Sequence, residues 1–270
     1  MRAFVLAAGL GTRLRPLTRL LAKPMVAAGD MPLLERAIRQ LAVAGITEIG
    51  INLFYKPESI QAYFGDGSRF GVQITWFDER LPLPGQQGQR REPLGTGGGL
   101  KAAEEFLTGD GSDTFVLVNG DAWHTFDLAE VAAAHEPDAI ATMVVHRDRR
   151  RPELHLLKCA VGSHMAGFIH RPPMNLDELE AYEGSGFLGI YTGVAVYSTR
   201  VLSHLPTGRV SGLVVHGLQP AVRAGETIRW HQAEGLWLDC GTIDELQRAD
   251  TYARSVRTLP SEQKIASVGE

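Results

Sequence analysis

Short apolar runs alternate with segments of helical spacing through the first half of the chain. Phe4, Val5 and Leu6 make the first run, and Gly9 and Gly11 end it, as in a buried strand that delivers a tight loop. Pro32 to Gly45 has helical marks: a proline for the first turn, Leu34, Ile38, Leu41 and Ala42 on one face, and a glycine stop. A strand over Glu48–Phe54, a helix over Pro57–Phe64 and a strand over Val72–Phe77 follow. Further along, the pattern predicts a helix over Leu100–Leu107, a strand over Thr114–Val118, an amphipathic helix over Asp127–His135 and a strand over Ala139–His146. Strands alternating with helices predict an α/β fold, Rossmann-like, with a mixed, mainly parallel sheet flanked by helices. The ligand site of such a sheet lies beyond the strand C-termini, where the Gly9–Arg13 loop falls.

From Arg147 the pattern shortens. A basic turn over Arg147–Pro152 leads to strand-like pieces at Leu156–Val161 and Gly167–His170, then an acidic loop with Asp177, Glu178, Glu180 and Glu183. A strand over Ile190–Tyr197, a short helix over Thr199–Leu205 and a helix over Leu213–Ala224, kinked or broken at Pro220, come next. Thr227–Gln232 reads as a strand, and Thr242 as the cap of a last helix through Ala253. Residues 1–255 are expected to form one domain, with two halves dividing near residue 146 and a flexible tail over 256–270.

Composition changes this picture little. The 270 residues are 44% apolar and 21% charged, ordinary for a soluble protein. A net charge of −4 gives no basic field for nucleic acid or an anionic membrane. Two cysteines, Cys159 and Cys240, are too few for a disulfide framework or a cysteine zinc site. There is no signal-peptide pattern, and no apolar run near the ~20 residues of a membrane helix. The expectation is a cytoplasmic protein.

The chemistry begins at the first loop. Ala7, Ala8, Gly9 and Gly11 let backbone amides approach an anion, and Arg13, Arg15 and Lys23 set three cations close behind. Together they suit a polyphosphate, with Pro16 and Pro24 expected to hold the chain extended around it. The stretch is neither G-x-x-x-x-G-K-[ST] nor G-x-G-x-x-G, since Leu14 stands where a third glycine belongs. Arg80–Arg91, rich in proline, glycine and glutamine, reads as a mobile surface loop, either a plain insertion or a lid. In E-P-L-G-T-G-G-G-L-K-A-A, Glu92–Ala103, four glycines just before a helix can present backbone groups to a flat ligand, while Lys101 reads as a solvated helix lysine in preference to a phosphate contact. Asp121, at a strand end beside Gly120, can hold a hard divalent cation.

Leu6 to Pro24 closely resembles the signature of the sugar-1-phosphate nucleotidyltransferases, L-A-A-G-x-G-T-R-L-x-P-L-T followed by K-P, with every fixed position matched. Leu236–Thr242, L-W-L-D-C-G-T, resembles the family's W-x-D-x-G-T. The resemblance implies a nucleotide-diphospho-sugar transferase fold, here with no hexapeptide-repeat β-helix following. It implies a nucleotide-binding half over about 1–146 and a sugar-phosphate half over 147–255. By position it implies nucleotide contacts from Leu6, Ala8, Gly9, Gly11, Thr12, Arg13, Glu92 and Gly98, and Mg²⁺ on Asp121 and Asp239. Sugar-phosphate contacts would come from Arg171, Thr192 and Gly193, with His170-Arg171 replacing the family's usual glutamate and lysine.

The implied partners are an NTP and a sugar 1-phosphate, and the implied catalytic residues are Arg13, Lys23 and Asp121, in a monomer or homodimer. Arg13 would face the leaving pyrophosphate and Lys23 the α-phosphate. A phosphate monoester is already a competent nucleophile, so positioning and charge neutralisation suffice. The short chain, E-P-L-G-T-G-G-G and N-G-D-x-W (Asn119–Trp123) together resemble N-acetylmuramate-1-phosphate uridylyltransferases, and mannose- or heptose-1-phosphate guanylyltransferases share much of this, so the resemblance implies UTP or GTP with a hexose-type 1-phosphate. Two alternatives stay open: a phosphocholine cytidylyltransferase-like enzyme using Trp123, Tyr182 or Tyr191, and a non-catalytic nucleotide-sugar-binding regulator.

Overall fold

The computed structural model describes residues 1–82, 88, 90, 92–147, 155–160, 166–168 and 186–258. The strands are β1 (Arg2–Leu6), β2 (Ala27–Ala28), β3 (Met31–Pro32), β4 (Glu48–Leu53), β5 (Gln73–Asp78), β6 (Thr114–Asn119) and β7 (Ala122–His124). They continue as β8 (Ala139–His146), β9 (His155–Ala160), β10 (Ala166–Phe168), β11 (Gly186–Ser198), β12 (Thr227–His231) and β13 (Trp237–Asp239). The main sheet has nine strands in the order β10-β9-β11-β6-β1-β4-β5, with β8 also on β11 and β12 on β8. β1, β4, β5 and β6 are parallel neighbours, and β11 runs against β6, β8 and β9.

Alternation along β1 explains why both sheet faces are covered. Ala3 and Val5 join Leu34, Ile38 and Leu41 of the helix Leu33–Val43 on one face. Phe4 points the other way, into a second cluster with Leu100, Leu107, Phe115 and Tyr197. A third, smaller core joins the chain's two ends: Leu14, Val26 and Leu33 pack with Trp123, Cys240, Ala249 and Ala253. Its last helix, Ile243–Thr258, is held to the β2–β3 hairpin by the Gly29 N–H donating to Asp250 (2.8 Å). Among the described residues no helix is long and apolar enough to cross a membrane.

Several expectations change. The four glycines of Glu92–Ala103 lie inside a helix, Gly95–Ala102, not before one; a second turn, Glu104–Thr108, follows a break at Ala103. Glycine is a poor helix former, but bare Cα atoms let this helix press against its neighbours: a Cβ on Gly97 would come within 2.9 Å of Leu205 and Ser211. Lys101 is not solvated; it donates to the Leu202 carbonyl (3.0 Å) and pairs with Glu104. Pro24 sits in a 3₁₀ turn, Lys23–Met25, instead of extended chain, closed by Val26 N–H to Lys23 O (3.1 Å). Pro220 does not break its helix: a π turn, Val214–Leu218, absorbs it at the start of Gln219–Arg223. The last helix runs on through Thr258, past the end expected at Ala253. The Arg80–Arg91 loop, the basic turn, the acidic loop and the rest of the tail lie wholly or partly outside the described residues.

His124 is buried on β7, stacked on Phe126, with neither ring nitrogen hydrogen-bonded among the described residues. Burial lowers its pKa from 6.5 to about 4. The unfolded chain therefore takes up a proton near pH 6.5 that the folded one refuses, and stability is lost as pH falls from there towards 4. His124→Leu should remove about 2 kcal/mol of the stability lost between pH 7 and pH 5, measured as urea midpoints at the two pH values. Equal losses in both proteins would clear His124 of the effect.

Candidate active site

Two cavities meet at the C-terminal ends of β1, β4 and β6. The first, about 210 Å³, is lined by Leu6, Ala8, Gly9, Asn52, Pro93, Gly95, Thr96, Asn119 and Asp121. The second, about 310 Å³, includes Arg13, Lys23, Asn119, Asp121, Tyr191, Thr192, Trp237 and Asp239. Asn119 and Asp121 belong to both, so β6 and the turn after it form the shared wall.

Local folding accounts for each position. β1 ends at Leu6, and the loop runs on to a 3₁₀ turn, Thr12–Leu14, capped by Gly11 at φ +63°. Leu14 is buried in the third core, which anchors that turn and leaves Thr12 and Arg13 exposed beside it. Lys23 is buried and its ammonium pairs with the Asp121 carboxylate at 2.6 Å. Asp239 is brought in by β13, which pairs antiparallel with β7 so that Asp239 stands opposite Ala122, the neighbour of Asp121. The Arg13 guanidinium comes to the same corner, since a Cβ on Gly241 would meet both Arg13 and the Asp239 carboxylate at 2.9 Å.

The expected residues divide accordingly. Leu6, Ala8, Gly9 and Asp121 gather at the first cavity, while Lys23, Thr192 and Asp239 join Asp121 at the second. Arg13 lines the second cavity, not the first. Gly11 and Thr12 sit in the loop without lining either one. Glu92 is exposed and its successor Pro93 takes the lining position. Gly98 is buried in its helix, where a Cβ would meet Leu94 at 2.9 Å and the Arg209 carbonyl at 3.0 Å. Thr192 donates its hydroxyl to the Val144 carbonyl (2.9 Å), and its own carbonyl accepts from the Trp237 indole (2.9 Å). Gly193 packs behind Asn119. Arg171 and Tyr182 lie outside the described residues. Trp123 is buried beneath Arg36 and Tyr252 in the third core, whereas Tyr191 lines the second cavity.

Asn52, Asn119, Thr96 and Trp237 line the site without having been singled out from the sequence. Asn52 and Asn119 occupy equivalent places, each opposite Leu6 of β1, and a polar residue near the end of an apolar strand was the available signal. Among the described residues no three metal-ligating side chains converge, so the acidic donors are the two carboxylates of Asp121 and Asp239. Burial pushes the Cys240 thiol up to about 12, which suits its place in the third core.

Residues 2–255 match the Nucleotidyl transferase family. A UTP–glucose-1-phosphate uridylyltransferase of Synechocystis sp. is 32% identical over 250 residues, covering 92% of this chain and 62% of its own length. A mannose-1-phosphate guanyltransferase of Neurospora crassa is 30% identical over 246 residues, covering 89% of this chain and 61% of its own. The chain thus spans less than two thirds of the length of either relative. The fold is shared with the crystal structure of HddC from Yersinia pseudotuberculosis complexed with GMP-PN, at a TM-score of 0.71 and 19% identity, covering 93% of this chain and 99% of that one. By the span of that match, residues 2–255, the chain belongs to the Nucleotidyl transferase family.

Proposed function

We propose that this chain transfers a nucleoside monophosphate from an NTP to a sugar 1-phosphate, giving an NDP-sugar and pyrophosphate. The favoured pair is UTP or GTP with a hexose-type 1-phosphate, as a precursor of cell-wall or surface polysaccharide. The observation that carries this reading is the pair of cavities sharing Asn119 and Asp121, an arrangement that suits two substrates meeting at one wall. The small residues Ala8 and Gly9 leave the first cavity open to a nucleotide, and the cations Arg13 and Lys23 at the second suit phosphates. A sugar-phosphate oxygen attacks the α-phosphorus, the bond to the β-phosphate oxygen breaks, and pyrophosphate departs with that electron pair. No side chain need remove a proton from the nucleophile. Lys23 neutralises the α-phosphate and Arg13 the departing pyrophosphate, so the protein's share is alignment and charge.

Mg²⁺ suits the donor set, because it takes one or two carboxylates and completes its shell with water and phosphate oxygens. Asp121 and Asp239 would hold it. Bound there, it supplies charge neutralisation between the two phosphate groups.

The test is pyrophosphate release from UTP, GTP, dTTP, CTP and ATP against a panel of sugar 1-phosphates and phosphocholine. Release should be strong for one nucleotide with one sugar phosphate, vanish with EDTA and return with Mg²⁺. Folded protein silent across the panel, yet stabilised by a nucleotide-sugar in a thermal shift, would favour the regulator. Release only from CTP with phosphocholine would replace the sugar with choline.

A further inference from the structure

Three hydrogen bonds cross the sheet beneath the first cavity. The Ala7 N–H donates to Asn52 Oδ1, the Asn52 amide donates to Glu79 Oε1, and the Leu94 N–H donates to Glu79 Oε2, each at 2.7 Å. Asn52 is 2% exposed and Glu79 3%. Ala7 lies between Leu6 and Ala8 on one lining segment, and Leu94 between Pro93 and Gly95 on another. We propose that Asn52 and Glu79 form a strut fixing the spacing of these two segments, which makes Glu79 a positioning residue for a nucleotide it does not touch. The proposal rests on the nucleotide reading of that cavity and deepens it.

The donor pattern leaves one arrangement. Both ends of the strut are backbone N–H groups and need acceptors. The middle amide must turn its oxygen to Ala7 and its nitrogen to residue 79, which then has to accept twice. A carboxylate meets that with one oxygen for each donor, where an amide would set its NH₂ against one of them. Burial holds the Glu79 pKa above the usual carboxylate value, with the Leu94 N–H, the Asn52 amide and the Arg90 charge opposing the rise. Burying a carboxylate costs more than an apolar side chain of like volume. What it provides is a set distance between two main-chain amides. Gly99 belongs to the same device: a Cβ there would stand 2.6 Å from Glu79 Oε1 and 2.8 Å from the Asn52 amide nitrogen, so the helix passes only as glycine.

A reciprocal swap tests this. Glu79→Gln sets an amide NH₂ against a donor, and Asn52→Asp sets a carboxylate against a carboxylate; each breaks one link. The double variant restores all three, with the new amide at 79 donating to the new carboxylate at 52. The readouts are amide hydrogen exchange at Ala7 and Leu94, and calorimetric Kd for UTP, GTP and dTTP with Mg²⁺, at a temperature where circular dichroism shows every variant folded. Each single variant should exchange faster and bind its nucleotide about tenfold or more weakly, and the double variant should recover to within about threefold. A double variant no better than the worse single one overturns the strut. So does wild-type affinity in single variants whose amides exchange faster, because the network would then serve the fold alone. If the wild-type protein binds none of the three nucleotides, the nucleotide reading falls first and the positioning role with it.

Discussion

Asp239→Asn should leave the fold intact and reduce pyrophosphate release by at least about a thousandfold, with nucleotide still bound. Asp239 lines the second cavity and not the first, and β13 is held by its backbone pairing with β7, which the substitution leaves in place. The lesion is therefore one of charge at the second cavity. Asp121→Asn makes a useful contrast. It strips the partner from Lys23, whose side chain is only 8% exposed, while Asp121 itself is 34% exposed. An uncompensated, nearly buried ammonium should cost about 1–2 kcal/mol of stability after solvent screening, on top of the lost turnover. Initial rates and urea midpoints separate the two: Asp239→Asn should move only the first, Asp121→Asn both. Near-normal turnover in Asp239→Asn would remove that carboxylate from the chemistry.

The contrast shows which parts of the site the chain discloses. The helix Pro57–Phe64 and the strand Ala139–His146 agree with the hydrophobic pattern at both ends. The reason is local: proline and glycine punctuate the helix, and β8 is apolar but for Thr142 and its last residue, His146, because both its faces are covered. The Gly95–Ala102 helix could not be read that way. Glycine's cost in a helix is an intrinsic property of the residue, and what offsets it here is contact with Leu205, Arg209 and Ser211, more than a hundred residues away.

The site divides along the same line. Ala8, Gly9 and Asp121 stand in motifs, and the fold brings them to one cavity. Asn52 and Glu79 stand in none; at strand ends such residues read as turn formers. Their meaning lies in hydrogen bonds that span 45, 27 and 15 positions. Thr192 is an intermediate case. Its position was legible, but not that its hydroxyl would be committed to the Val144 carbonyl inside the sheet.

Gly193→Ala should cost about 3 kcal/mol and lower the melting temperature by roughly 6–12 °C. Two effects add. Gly193 has φ +84°, where an L side chain is strained, and it lies at the irregularity between Tyr191 and Ala195 where β11 shifts register on β8. Its first half pairs there with β9 and its second with β6, so the bend cannot relax without disturbing both. A Cβ would also stand 2.5 Å from the Asn119 amide nitrogen, 2.6 Å from its Cγ and 2.8 Å from its Cβ. Asn119 lines both cavities, so its displacement should impair turnover in whatever protein remains folded. Adding Asn119→Gly removes all three colliding atoms and leaves the backbone strain. The double variant should therefore regain the steric share of stability, while turnover stays low because the shared wall is gone. If instead Gly193→Ala melted within about 2 °C of the wild-type protein, the bend would be soft, and the wall between the two cavities would not depend on it.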